Sequence, residues 1–109
     1  MTTPTPRIRL SATEIAAGEV VEVRTQIVHA METGNRVDTD GTRVPRNIIH
    51  SFTAEFDGTP VFGCDIDTAV AANPFLQFSV APARSGVLTM RWRDEEGMDV
   101  TATRDIKVV

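Results

Sequence analysis

Cysteine occurs once in the 109 residues, at Cys64, so no disulfide can form within the chain. Tyrosine is absent, and the aromatic residues are limited to five phenylalanines and Trp92. Lys107 is the sole lysine; the other basic residues are arginines scattered along the chain. With a net charge of −4 and a pI near 5.0, the sequence lacks the clustered cations that grip nucleic acid. No apolar run approaches the ~20 residues of a membrane-spanning helix. The opening stretch MTTPTPRIRL has no charged start, apolar core or small-residue cleavage site of a secretory signal. On its own residues, the chain is expected in the cytoplasm.

What remains is a pattern of short strands. Residues 1–6 form a polar, proline-containing lead, expected to be frayed, and residues 7–109 a single domain. From Glu19 to His29, Val21, Val23, Thr25 and Ile27 share one face, with Glu22, Arg24 and Gln26 opposite. That period of two, rich in β-branched residues, marks a half-buried strand. Further strand patterns cover residues 7–11, 48–56, 60–66, 75–80, 87–93 and 98–109. In the second of these, Ile48, Phe52, Ala54 and Phe56 are in phase with His50, which predicts a partly buried histidine. Asp57-Gly58 between two apolar runs is a strong hairpin signal. Residues 65–72 are compatible with one helical turn, ended by Asn73-Pro74. About seven antiparallel strands with turns at intervals near ten residues predict an all-β, immunoglobulin-like sandwich; a small barrel is the alternative. Of the aromatics, Phe56 and Phe62 are expected to come nearest an outer face.

Catalytic constellations are missing from the pattern. The serines Ser11, Ser51, Ser79 and Ser85 have no nucleophile-elbow context, and His50 and Ser51 point to opposite faces of their strand. His29, His50 and Cys64 lie on separate strands without metal-ligand spacing. Asp38-Thr39-Asp40-Gly41 suggests a calcium loop. Placing Gly41 sixth puts Arg36 first and Asn47 twelfth, and the match fails. Cys64 has Asp65 beside it, which raises a thiol pKa. No catalytic, cofactor or metal residue is assigned.

The stretch from Ala30 to Arg46 breaks the strand pattern and reads as a long loop with a hairpin tip at Asp40-Gly41. Its surroundings, IVHAMETGNRVDTDGTRVPRNII, resemble the SoxZ family, through His29, Met31-Glu32-x-Gly34-x-Arg36, Asp38-x-Asp40-Gly41 and Pro45-Arg46-x-Ile48-Ile49. Phe52-Thr53-x-Glu55-Phe56-Asp57-Gly58, Asn73-Pro74-Phe75, and Trp92 followed by an acidic turn to Gly97 extend the likeness over nearly the whole chain.

The resemblance implies a non-catalytic, cofactor-free subunit of the sulfur carrier of thiosulfate oxidation. It would pair as a heterodimer with a SoxY-type protein, whose mobile C-terminal Gly-Gly-Cys-Gly-Gly arm bears the sulfur. The resemblance also overrides the cytoplasmic expectation: the chain would reach the periplasm by co-export with a partner carrying a twin-arginine signal. No thiol role carries over, because the position that is cysteine in some relatives is Ala54 here. The interface candidates are Met31, Arg36, Val44, Pro45, Arg46, Asn73, Pro74 and Phe75, bulky or apolar residues that regular strands do not explain. Two further functions stand beside this one: an immunoglobulin-like protein-binding module docked to an unrelated enzyme, and a redox role for Cys64.

Overall fold

The structure, a computed structural model, describes residues 4–66 and 72–109. Eight strands follow one another: β1 (Arg7–Leu10), β2 (Glu14–Ile15), β3 (Val21–Gln26), β4 (Ile49–Phe56), β5 (Thr59–Asp65), β6 (Phe75–Val80), β7 (Gly86–Asp94) and β8 (Asp99–Val108). They form a three-stranded sheet in the order β1-β3-β6 and a five-stranded sheet in the order β2-β8-β7-β4-β5. The architecture is the all-β sandwich expected from the alternation, with two differences. The strand count is eight among the described residues, and β2 runs parallel to the end of β8, pairing Glu14 with Lys107 and Ile15 with Val108. Two residues carry too little periodicity to be read as a strand.

Alternation in the sequence becomes burial in the fold. Val21, Val23 and Thr25 of β3 and Phe78 and Val80 of β6 face Phe52 and Ala54 of β4, Leu88, Met90 and Trp92 of β7, and Val100 and Ile106 of β8. Phe52 is the hub: its ring centroid lies 5.0 Å from Trp92, 5.7 Å from Phe78 and 6.0 Å from Phe62. Phe62 in turn stacks on Phe78 at 5.1 Å. Each such aromatic pair adds about 0.5–1.5 kcal/mol to what area burial supplies. Phe56 and Phe62 are therefore half-buried against the core, contrary to expectation, and the exposed aromatic is Phe75.

Asp57-Gly58 forms the hairpin between β4 and β5, with φ of 50° and 82°, the two positive values that a tight hairpin turn needs. Pro60 falls on β5, the outer strand of the larger sheet and beside a register shift, where its missing N–H is tolerated.

His50 departs from the expected burial. The pairing of β4 with β7 slips between Ile49 and Ser51, so His50 is the extra residue of a bulge. Ile49 takes the buried position opposite Asp94, and His50 turns to solvent. Pro6, expected in a frayed lead, is buried, and residues 1–3 lie outside the described residues. The expected helical turn at 65–72 falls largely outside them too.

Candidate functional site at the loop end of the sandwich

The buried stripe of β3 continues past its last ladder residue. Ile27 is buried, Val28 is exposed, and His29 turns inward with only 9% of its surface accessible. His29 is the anchor of the loop end. Its Nδ1 accepts a hydrogen bond from the Met31 N–H at 2.9 Å, so the ring proton resides on Nε2 and is donated to Asp94 Oδ2 at 3.0 Å. Asn73, just ahead of β6, holds the same residue: its N–H donates to the His29 carbonyl at 2.7 Å, and its Oδ1 accepts the His29 N–H at 2.9 Å. That two-way clamp sets Asn73 at φ 53°, a conformation that asparagine tolerates better than most residues.

Asp94 ends the buried stripe of β7. Its Oδ2 also accepts from Asn47 Nδ2 at 3.2 Å, and its Oδ1 accepts the Glu96 and Met98 N–H groups at 3.0 and 2.7 Å. Burial pushes this carboxyl upward, yet the bonds from His29, Met98, Asn47 and Glu96 outweigh it and hold the pKa below the ordinary value. Both nitrogens of His29 are thus engaged internally. The imidazole offers neither a free lone pair nor a free proton to a bound molecule, and the pair positions the loop.

The 17 residues between Ala30 and Arg46 form an irregular hairpin rather than an open loop. Glu32 and Asn47 exchange backbone bonds at 2.9 and 2.8 Å, Val44 N–H reaches the Arg36 carbonyl at 2.8 Å, and Val37 bridges Arg43. The expected tip holds: Gly41, at φ 87°, closes on the Asp38 carbonyl, and Asp38 Oδ1 accepts the Asp40 and Thr42 N–H groups. The acidic side chain that suggested a calcium loop is spent on the turn.

At the base of the loop, Met31 is 4% exposed with φ 53°, its Sδ taking the Ile49 N–H at 3.3 Å. Arg46 donates to Glu95 Oε1 at 2.9 Å, which also receives the Ile48 N–H. Arg36 forks onto the Glu32 carboxylate at 2.8 to 3.1 Å. These guanidinium contacts hold both Glu32 and Glu95 below the ordinary carboxylate range.

Of the expected interface residues, Met31 and Pro74 are buried within the chain and shape the surface from below. Arg36, Pro45, Arg46, Asn73 and Phe75 are exposed, and Val44 is half-buried. One contributor escaped the sequence reading. Val28 is 70% exposed on the same outer face as the 55% exposed Phe75, whose neighbour in the ladder is Gln26. Beside them, Val28, His29, Glu32, Asn47, Glu96 and Met98 line a cavity of about 460 Å³ with an acidic rim. The signal for His29 and Asp94 was present: each lies in phase with the buried stripe of its strand.

Cys64 sits half-buried on β5 opposite Phe52. Burial first, and Asp65 second, push its thiol pKa up. Among the described residues, no three His, Cys, Asp or Glu side chains gather as a metal site would require.

Together these features define an immunoglobulin-like sandwich whose one long connection is a structured, surface-presenting hairpin. Residues 8–105 match the family described as sulphur oxidation protein SoxZ. The chain belongs to the SoxZ family, and is thereby a sulfur oxidation protein. No curated protein sequence matches it. Among solved structures, the chain is similar to a superoxide reductase (neelaredoxin) from Ignicoccus hospitalis, with TM-score 0.70 at 18% identity over 96% of this chain and 80% of that one. A hypothetical protein from Pyrococcus horikoshii gives TM-score 0.62 at 13% identity over 97% and 90%. A CARDB domain from Pyrococcus furiosus, solved with di-metal ions, gives 0.50 at 16% over 98% and 94%. At such identities the likeness concerns the fold alone.

Proposed function

We propose that this chain is the non-catalytic half of a heterodimeric sulfur carrier. It pairs with a SoxY-type subunit, whose C-terminal cysteine arm bears the sulfur, and it helps present that arm to the enzymes of thiosulfate oxidation. Membership of the SoxZ family carries this reading. The loop end supports it physically. A hairpin locked to the sandwich by His29, Asp94 and Asn73 loses little entropy on docking, and rigid surfaces bind with less ordering cost.

The docking surface in this reading comprises Val28 and Phe75 as apolar anchors, with Arg36, Val44, Pro45, Arg46 and Asn73 around them. Buried aromatic and arginine residues dominate binding energy at interfaces. An obligate pairing buries roughly 2,000 Å² or more, so these residues form one part of it. The complex acts in the periplasm, reached by co-export with its partner.

Co-expression with a SoxY-type protein, followed by mass measurement, tests the reading. A one-to-one complex is expected, and the double change Val28→Glu and Phe75→Glu weakens it by about 30-fold or more. A chain that remains alone, or in complex only with an unrelated enzyme, overturns the proposal.

A further inference from the structure

Eight of the ten arginines fall into two groups. Arg36 pairs with Glu32, Arg46 with Glu95 and Arg91 with Asp99, while Arg93 reaches Asp99 at 4.0 Å. Around β1 the arrangement is different. Arg7 and Arg9 stand two residues apart on the outer face of the small sheet, and the register sets Arg9 directly opposite Arg24 of β3. Like charges facing across a strand pair destabilise it. Among the described residues, Glu22, 3.8 Å from the Arg24 guanidinium, is the one carboxylate within ion-pair distance of these three arginines.

The larger sheet adds a fourth arginine to the same place. Arg104 pairs with the fully buried Leu88, at a position of β8 where the alternation calls for an apolar side chain. Its guanidinium donates to the neighbouring Thr103 carbonyl at 2.7 Å. Arg7, Arg9, Arg24 and Arg104 line one cavity of about 590 Å³. Among the described residues, Arg7, Arg9 and Arg104 have no carboxylate partner within ion-pair distance. In a chain of net charge −4, this concentrates unneutralised cation at one open edge.

We propose that this cleft docks an acidic, extended segment of a partner protein, with carboxylates at alternating positions. Spacing and size favour that occupant. Arg7 and Arg9 recur at about 7 Å, the repeat of side chains on one face of an extended chain. An inorganic oxyanion displaces only a few water volumes of ~30 Å³ each, far less than the cavity. Guanidinium forks match carboxylates in a bidentate fashion, and β1 is an outer strand along which a second chain can lie. The cleft adjoins the loop end at Phe75, which lines its rim, and the proposal rests on the arginines and does not depend on the pairing proposed there.

Fluorescence anisotropy with a labelled peptide of alternating glutamate and threonine tests it, with glutamine replacing glutamate in the control. The glutamate peptide should bind, the control should not, and rising salt should weaken binding steeply. Arg9→Glu and Arg104→Glu should each weaken it about tenfold, and Arg9→Gln and Arg104→Gln by less. Arg84→Glu, in the turn between β6 and β7, should leave it unchanged. Unchanged Trp92 fluorescence verifies that each variant is folded. Absence of peptide binding, or equal loss in Arg84→Glu, would overturn the proposal. Saturation of the cleft by sulfate or thiosulfate that displaces the peptide below about 1 mM would also overturn it, assigning the arginines to a small oxyanion.

Discussion

His29 Nε2 lies 3.0 Å from Asp94 Oδ2, tying the root of the long hairpin to the last residue of β7 in a buried setting. One carboxylate thereby organises two connections: the hairpin, through His29 and Asn47, and the β7–β8 turn, through the Glu96 and Met98 N–H groups.

Removing that carboxylate should be costly. Asp94→Ala leaves the His29 ring proton, the Asn47 amide and two backbone donors without their acceptor. Urea denaturation is expected to show a loss of about 2–4 kcal/mol. A loss within about 0.5 kcal/mol, the range of ordinary surface changes, would show that the junction is not structural.

Acid should expose the same contact. A carboxylate with a depressed folded pKa contributes stability that is fully present above its unfolded value, near ~3.9, and lost as pH falls through the folded value. The stability gap between the native chain and Asp94→Asn is therefore expected to be constant near neutrality and to narrow below about pH 4. Melting curves across that range measure it.

Gly34 tests how tightly the hairpin closes. Its φ is 89°, and an added Cβ would meet Arg46 Cβ at 3.3 Å. Gly34→Ala should lose about 1–2 kcal/mol, through backbone strain and the displaced Arg46. Gly18→Ala, at φ 78° with open space around it, carries the strain alone and should lose less.

Cys64 bears on the redox reading. With its thiol pKa raised by burial and then by Asp65, it should react with iodoacetamide at pH 7 more slowly than an unstructured cysteine peptide. Faster alkylation than the peptide would restore a redox role as a serious reading.

The sandwich was legible because its strands alternate cleanly. Val21–Ile27 and Leu88–Trp92 declare one buried face, and Asp57-Gly58 declares its turn by composition. Legibility ended where a side chain's role depends on a distant partner. His50 read as buried because it shares a phase with Phe52 and Ala54, and the bulge that expels it is a property of pairing with β7. His29 and Asp94, 65 residues apart, read as a strand end and a turn; each is explained only by the other. Arg104 likewise interrupts the apolar phase of Val100, Ala102, Ile106 and Val108, an irregularity whose meaning needed β1 beside it.

The central claim, that the loop end is the surface offered to a SoxY-type partner, is tested most directly by hydrogen exchange on the chain alone and in complex. The account predicts added protection concentrated at residues 28–47 and 73–75, with β5 and the β6–β7 turn unchanged. Protection confined to the β1 edge or β5, with residues 28–47 exchanging as in the free chain, would contradict it.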